Sequence, residues 1–343
     1  MKIEFVKKKL KASFLDPTKN FELNTHEIER RRDPLTKRWC RINVRRIKRP
    51  KQIIKSRNEI EKIIRVTKSK CDFCPENIEK RTPKFTKDLV PEGRIRVRNF
   101  VLFPNLFPFD DYHAIGVLTR SHFFPLNKFG SEIWKDCIIG CIKFFEILRE
   151  KGKKVMYPSI NFNYLQPSGA SIVHPHVQVI VTKKPTFYLD EILKGCHKYF
   201  LRNNSNYWND LVKIEKQKRE RYIGKIGSTE WLCSFAPMLN NEVIGITKKS
   251  CILDLTRDEI KCLAEGISKI LKGYSSLGIE SVNATVYSTM NDTKYFRCFV
   301  RIVSRKNMTP YYCNDRGFME ELHEEPVIET LPEDLVSHLK SEF

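Results

Sequence analysis

Tyr112-His113-Ala114-Ile115-Gly116-Val117-Leu118-Thr119 is echoed further along the chain by Glu242-Val243-Ile244-Gly245-Ile246-Thr247, with the glycine at the same place in each apolar run. The segments downstream of the two runs are also alike. After the first, Ile133, Cys137, Ile138, Cys141, Ile142 and Phe145 recur at helical spacing, predicting an amphipathic helix over 133–148, and alternation marks strands over 159–164 and 177–182. After the second, Thr256 and Glu259 make a capping-box signature that opens a helix over 257–271, followed by strands near 281–288 and 295–303. Further strands are read at 39–44, 96–103 and 231–235. This order predicts an α+β chain of two tandem units, each an antiparallel sheet with helices packed on one face, joined near 205–228. The domains expected are a basic N-terminal arm at 1–28, a first unit at 29–205 and a second, degenerate copy at 206–343.

The 343 residues suffice for two domains of ordinary size. With 41% hydrophobic and 11% aromatic residues the chain can fold alone, which excludes a disordered polycation. No apolar run approaches membrane-spanning length and the charged N-terminus lacks an apolar signal core, so the expected location is cytoplasmic, away from membranes. Eleven cysteines, odd in number and irregularly spaced, read as reduced thiols. The net charge of +21 points to an anionic partner: nucleotide, sugar phosphate, nucleic acid or membrane surface. It is polarised along the chain, with 23 basic and 8 acidic side chains in residues 1–70 but 1 and 8 in residues 317–343.

The densest chemistry lies in Ser168-Gly169-Ala170-Ser171-Ile172-Val173-His174-Pro175-His176-Val177-Gln178, at the start of a predicted strand. Alternation would put His174, His176 and Gln178 on one face, while Gly169, Ala170 and Ser171 leave room for a phosphate to approach the backbone. An imidazole can attack phosphorus if its other nitrogen is held, and a neighbouring amide can stabilise non-bridging oxygens. The plainer alternative is a polar strand face in solvent. Cys71-x-x-Cys74 fits the bite of a tetrahedral zinc site but supplies only half the ligands; His122 and His174 are candidates for the rest, and two buried core cysteines are the alternative. Cys137 and Cys141, at i and i+4 on an apolar face, read as core, as do Trp39 and Trp231. His26, His113, His197, His323 and His338 show no partner pattern and read as surface or core residues.

Taken in order, several motifs resemble the galactose-1-phosphate uridylyltransferase branch of the histidine-triad superfamily, which also contains ADP-glucose phosphorylase. They are Arg31-Arg32-Asp33-Pro34-Leu35-Thr36-x-x-Trp39, Arg46-x-x-Arg49-Pro50, Cys71-x-x-Cys74-Pro75-x-Asn77, Phe103-x-Asn105-Leu106-Phe107-Pro108, His122, and Asn163 ahead of His174-Pro175-His176-x-Gln178. The resemblance implies that His176 is the nucleophile, forming a nucleotidyl-histidine intermediate, with Gln178 holding the transferring phosphoryl oxygens. It implies one structural zinc on Cys71, Cys74, His122 and His174. Arg46 and Arg49 would bind phosphate; Asn163, Gly169 and Ser171 would lie along the diphosphate; Phe103 and Asn105 would belong to the nucleotide pocket. The implied activity moves UMP, or AMP, from an NDP-sugar to a sugar 1-phosphate, as in galactose metabolism, in a homodimer.

Two departures from the family pattern bear on this expectation. Where members with a second metal site carry a histidine pair, this chain reads Phe296-Arg297-Cys298-Phe299-Val300-Arg301, and no second metal is expected there. The acceptor segment reads Gly317-Phe318-Met319-Glu320-Glu321-Leu322-His323, keeping only the phenylalanine of the usual Lys-Phe and Tyr-Glu. A phosphorylase of ADP-sugars or dinucleotides using the same histidine is therefore the alternative. A nucleic-acid-binding or scaffold protein is the remoter one, suggested by the charge, with Lys7–Lys9 and the basic residues of 51–70 free for an anion.

Overall fold

A computed structural model describes residues 3–49, 58–310 and 314–343; Pro50 and the basic residues of 51–57 lie outside them. In chain order the elements are β1 (Val6–Asp16), β2 (Glu22–Arg32), β3 (Trp39–Ile42), α1 (Glu59–Thr67), α2 (Pro75–Arg81), β4 (Ile95–Val97), β5 (Phe100–Pro104), β6 (His113–Val117) and α3 (Ser131–Glu150). There follow β7 (Tyr157–Tyr164), β8 (His176–Thr182), α4 (Phe187–Asn203), α5 (Tyr207–Lys218), β9 (Tyr222–Ile226), β10 (Thr229–Cys233), β11 (Val243–Ile246) and α6 (Arg257–Ser276). The chain closes with β12 (Val282–Tyr287), β13 (Phe299–Ser304), α7 (Phe318–Glu321), β14 (Val327–Ile328) and α8 (Pro332–Leu339).

The fold is α+β, and its main sheet has ten antiparallel strands in the order β4-β5-β6-β8-β7-β12-β13-β11-β10-β9. Read inward from either edge, three strands consecutive in sequence are followed by the last strand of that half and then by the one before it. The two halves meet where β7 pairs with β12, from Ser159 opposite Tyr287 to Tyr164 opposite Val282. One face of the sheet carries α3 and α6, and the main core lies between them, with Val177, Val179 and Val181 of β8 pointing into it. Each half seats one large ring between a strand glycine and a helix glycine. A Cβ on Gly116 or Gly140 would collide with Phe100, and one on Gly245 or Gly266 would collide with Trp231. The Thr256–Glu259 capping box expected for α6 is formed reciprocally.

The opposite face differs between the halves. In the second half α4 and α5 bury it: Leu189, Ile192, Cys196, Tyr207, Trp208 and Leu211 pack against Leu232, Ile244, Ile246 and Phe299. The stretch near 205–228 thus holds α5, which has a buried face, and strand β9, and α4 before it went unread. In the first half, among the described residues, the same face is covered only at its edge, by Cys71, Phe73, Cys74 and Ile78, and along β7 it presents the half-exposed Ser159, Asn161 and Asn163. That open strip is where a ligand can reach the sheet.

Beneath the plug of the second half lies an ion pair, Arg301 to Glu242 at 2.8 Å, with Glu242 also accepting from the Ser234 hydroxyl and the Met238 N–H. Glu242 is 2% exposed. Removing one member of such a pair strands the other charge in the interior, so Glu242→Ala should cost about 3–5 kcal/mol, read as a lowered urea midpoint. A shift under about 1 kcal/mol would show that the pair carries little of the stability.

Other expectations are corrected. Residues 96–103 make two strands, not one, because Arg98 takes a left-handed backbone (φ +51°) and turns the chain. Trp39 is half-buried and faces cations, with the Arg30 guanidinium 4.5 Å from its ring. The N-terminal arm is a hairpin of β1 and β2 that joins β3 and β14 in a second sheet, with β2 pairing to β3 over Glu29–Arg32. Lys7 and Lys9 are not free for an anion, since they face Glu29 at 2.7 Å and Glu27 at 3.0 Å across the ribbon.

Candidate active site

Cys71 and Cys74 sit just before and at the start of α2, His122 follows β6, and His174 immediately precedes β8. Their four ligand atoms lie within 4.8 Å of one another, and all four residues are buried. Cys71 Sγ to His174 Nδ1, Cys74 Sγ to His122 Nδ1 and Cys74 Sγ to His174 Nδ1 are each 3.6 Å. Zinc–sulfur and zinc–nitrogen bonds of about 2.3 and 2.05 Å at a tetrahedral angle require an S···N edge of about 3.6 Å. The imidazoles are also turned the right way. His174 Nε2 donates to the Thr119 carbonyl at 2.8 Å and His122 Nε2 lies 2.9 Å from Thr67 Oγ1, leaving both Nδ1 atoms facing the thiols. Burial pushes the His174 pKa down to about 4 and that of His122 below its usual value. Burial next to Cys71 pushes the Cys74 thiol up to about 12. The cluster can hold one metal ion, which would replace the Cys74 proton and join the 71–74 segment to the head of β8.

Strand β8 begins at His176, so alternation places His176 and Gln178, but not His174, on the open face of the sheet. His176 Nδ1 donates to the His174 carbonyl at 2.8 Å, which leaves the lone pair on Nε2. Burial holds its pKa below the ordinary histidine value, so the ring is neutral at pH 7. The Phe73 ring stands edge-on at 5.2 Å. Next to it, Phe73, Ile78, Val101 and Val117 wall a cleft of about 150 Å³ with Arg96, Arg98 and Arg120 at its rim.

No protein-family model matches the sequence. A protein of Archaeoglobus fulgidus described as uncharacterised is 32% identical over 318 residues, 91% of this chain and 92% of that one, so the two belong to one family. A galactose-1-phosphate uridylyltransferase of Hypocrea jecorina is 28% identical over 129 residues, 35% of this chain and 34% of that protein. The fold matches that of an ADP-glucose phosphorylase from Arabidopsis thaliana, solved with bound ADP-glucose (TM-score 0.69, 18% identity, covering 91% of this chain and 98% of that one). It also matches a uridylyltransferase structure (TM-score 0.65, 16% identity, covering 91% and 98%). The chain therefore shares its fold with these two enzymes.

Most of the other residues singled out by resemblance to that uridylyltransferase group lie around the same face. Asn163 is on the open face beside β12, where its side-chain oxygen accepts from Asn283 Nδ2 at 2.7 Å. Asn283 also donates to the Ser168 carbonyl at 2.9 Å and accepts from Arg305 at 2.7 Å. Arg305 is in turn clamped by Asp315 through Nε at 2.9 Å and Nη2 at 2.6 Å. Gly169 takes φ +88°, a conformation open to glycine, with nothing near its missing side chain, and Ser171 is exposed. The turn that carries them starts from Leu165 at φ +65°, a strained backbone for leucine, with the Ser168 hydroxyl bonded to the Leu165 carbonyl at 2.7 Å. Phe103 is 1% exposed beneath Phe73, and the Asn105 side-chain nitrogen sits 3.0 and 3.4 Å from the two ring nitrogens of His113. Arg46 and Arg49 line a cleft of about 360 Å³ with Asn240, Lys306, Asp315, Arg316 and Phe318, and Arg49 pairs with Glu329 at 3.3 Å.

His113, read from sequence as a residue without a partner, is buried and hydrogen-bonded to Gln178. Asn283 and Arg305 were not singled out at all. Both come from the second half and reach the site only through the β7–β12 pairing, for which no local signal exists.

Proposed function

We propose that the chain is an enzyme that transfers a nucleoside monophosphate from an NDP-sugar to a sugar 1-phosphate, through a nucleotidyl adduct on His176. The observation that carries this reading is the His176 ring: buried, neutral, its Nδ1–H held by the His174 carbonyl, and sharing an open sheet face with Gln178. In the first step Nε2 attacks the nucleotide's α-phosphorus; the N–P bond forms as the P–O bond to the departing sugar 1-phosphate breaks. In the second, an oxygen of the acceptor phosphate attacks the same phosphorus, the N–P bond breaks, and the imidazole is restored. Gln178, Asn163 and the backbone around Gly169 and Ser171 would hold the phosphoryl oxygens, and the Phe73 cleft beside Phe103 and Asn105 would take the base. The cleft with Arg46 and Arg49 would hold an anionic group such as a sugar phosphate. Zinc on Cys71, Cys74, His122 and His174 would supply a structural tie, fixing the strand that bears His176. Two tandem units are part of this reading, supported by the mirrored strand order and the paired ring seats, as is a homodimer, supported by the family resemblance.

A second reading, in which inorganic phosphate is the acceptor, draws support from the likeness to ADP-glucose phosphorylase and from an acceptor segment without the family's lysine and tyrosine. Intact mass measured after incubation with UDP-glucose, ADP-glucose and other NDP-sugars tests both. A single added nucleoside monophosphate names the base, and its discharge by sugar 1-phosphates or by phosphate names the acceptor. No adduct with any of the panel would defeat the proposal.

A further inference from the structure

The His113–Gln178 contact assigns a role that His113's place in the sequence does not suggest. His113 opens β6, two residues before Ile115, which lies directly opposite Gln178, so the two side chains meet diagonally across the strand pair on the open face. His113 Nε2 lies 2.9 Å from Gln178 Oε1. The ring's other nitrogen, Nδ1, receives the Phe109 N–H at 3.4 Å. Nε2 lies between Gln178 Oε1 and the Asn105 side-chain nitrogen, which is 3.0 Å from Nε2 and 3.4 Å from Nδ1. In the tautomer in which Nδ1 accepts from the Phe109 N–H, Nε2 carries the hydrogen and donates to Gln178. Burial of the ring favours this neutral form. In that tautomer the Gln178 oxygen is taken, and among the described residues its side-chain nitrogen has no protein partner. The amide presents two N–H donors to the open face.

The two halves use this pair of positions differently. Gly116 lies opposite Val177 on β8, and Gly245 lies opposite Val300 on β13. Counting from these pairs, His113 corresponds to Glu242 and Gln178 to Arg301. Where the second half closes the two positions into an ion pair under α4 and α5, the first half joins them by one neutral hydrogen bond that leaves donors free.

Resting on the nucleotidyl-transfer reading above, we propose that His113 is a positioning residue that fixes the orientation of the Gln178 amide, so that N–H groups and not the carbonyl oxygen face the transferring phosphoryl group. An amide free to flip would spend part of its time aiming an oxygen at an anion. His113 touches no reacting atom; it acts through Gln178.

The test is a double-mutant cycle on the single-turnover rate of adduct formation, with an NDP-sugar that labels the wild type, joined to NMR of ¹⁵N-histidine-labelled protein. His113→Leu should lower the rate about 10- to 100-fold while changing the NDP-sugar Kd less than about 3-fold. His113→Gln, which can still donate, should recover part of the loss. In a Gln178→Ala background, adding His113→Leu should change the rate less than about 2-fold. NMR should show His113 as the Nε2–H tautomer, with that resonance shifted by Gln178→Ala. Additive losses in the two backgrounds would overturn the proposal, as would an Nδ1–H tautomer or a His113 resonance that ignores Gln178→Ala. Absence of any wild-type adduct would defeat the transfer reading instead, with the NMR arm still deciding whether the pair exists.

Discussion

His176→Ala should leave a folded protein that takes up no nucleotide, with turnover down by at least about 10⁴-fold, equivalent to about 5 kcal/mol of transition-state stabilisation. The size comes from what the ring supplies. Among the described residues it is the only imidazole on the open face with a nitrogen lone pair unclaimed by protein: His174 turns its Nδ1 toward the thiols, and both nitrogens of His113 are engaged. Without Nε2 of His176 the reaction must run by direct attack of the acceptor, for which the site has no second nucleophile in place. Gln178→Ala should behave differently, slowing adduct formation about 10²-fold without abolishing it, since a donor and not a nucleophile is lost. Quenched-flow labelling with an NDP-sugar reads both. A His176→Ala protein that labels at the wild-type rate would move the nucleophile elsewhere.

Loss of the metal should be the largest stability effect. Chelation under mild denaturant, or Cys74→Ala, should lower the melting midpoint by about 10 °C or more, because metal-ligand bonds worth several kcal/mol are exchanged for a buried, unpaired donor set. Elemental analysis should find about one zinc per chain in the wild type and none in Cys74→Ala. Cys137→Ala serves as the control: it removes an equally buried thiol from α3 and should cost about 1 kcal/mol of packing with the zinc retained. A metal at the Cys74 site would also tie 71–74 to the head of β8, so Cys74→Ala should slow adduct formation as well. A metal-free chain with unchanged melting and unchanged labelling would sink the structural role.

Much of the fold could be read locally. The helical spacing from Ile133 to Phe145 and the capping box at Thr256 and Glu259 mark α3 and α6, since helix periodicity and caps are short-range properties. The motif around His174, His176 and Gln178 is likewise local, and the spacing of Cys71 and Cys74 already carries half a tetrahedral site. What local pattern missed were tertiary effects. Arg98 makes a turn that no glycine announces, and α4 and α5 carry a buried face only because a bare half of the sheet needed covering. Lys7 and Lys9 looked like an anion site until the ribbon set Glu29 and Glu27 opposite them.

The sequence alone determined which groups are available: two thiols and two imidazoles of metal-binding type, an imidazole and an amide two residues apart on one strand, and two similar runs of elements. Only the tertiary structure decided which of them meet. Strand pairing set His113 against Gln178 and Asn283 against Asn163, over separations of 65 and 120 residues, and it left one face of the first half open while the second half was plugged. The reason is physical. Hydrogen-bond partners across a sheet are fixed by register, and register is chosen by how the whole set of apolar faces can be buried at once.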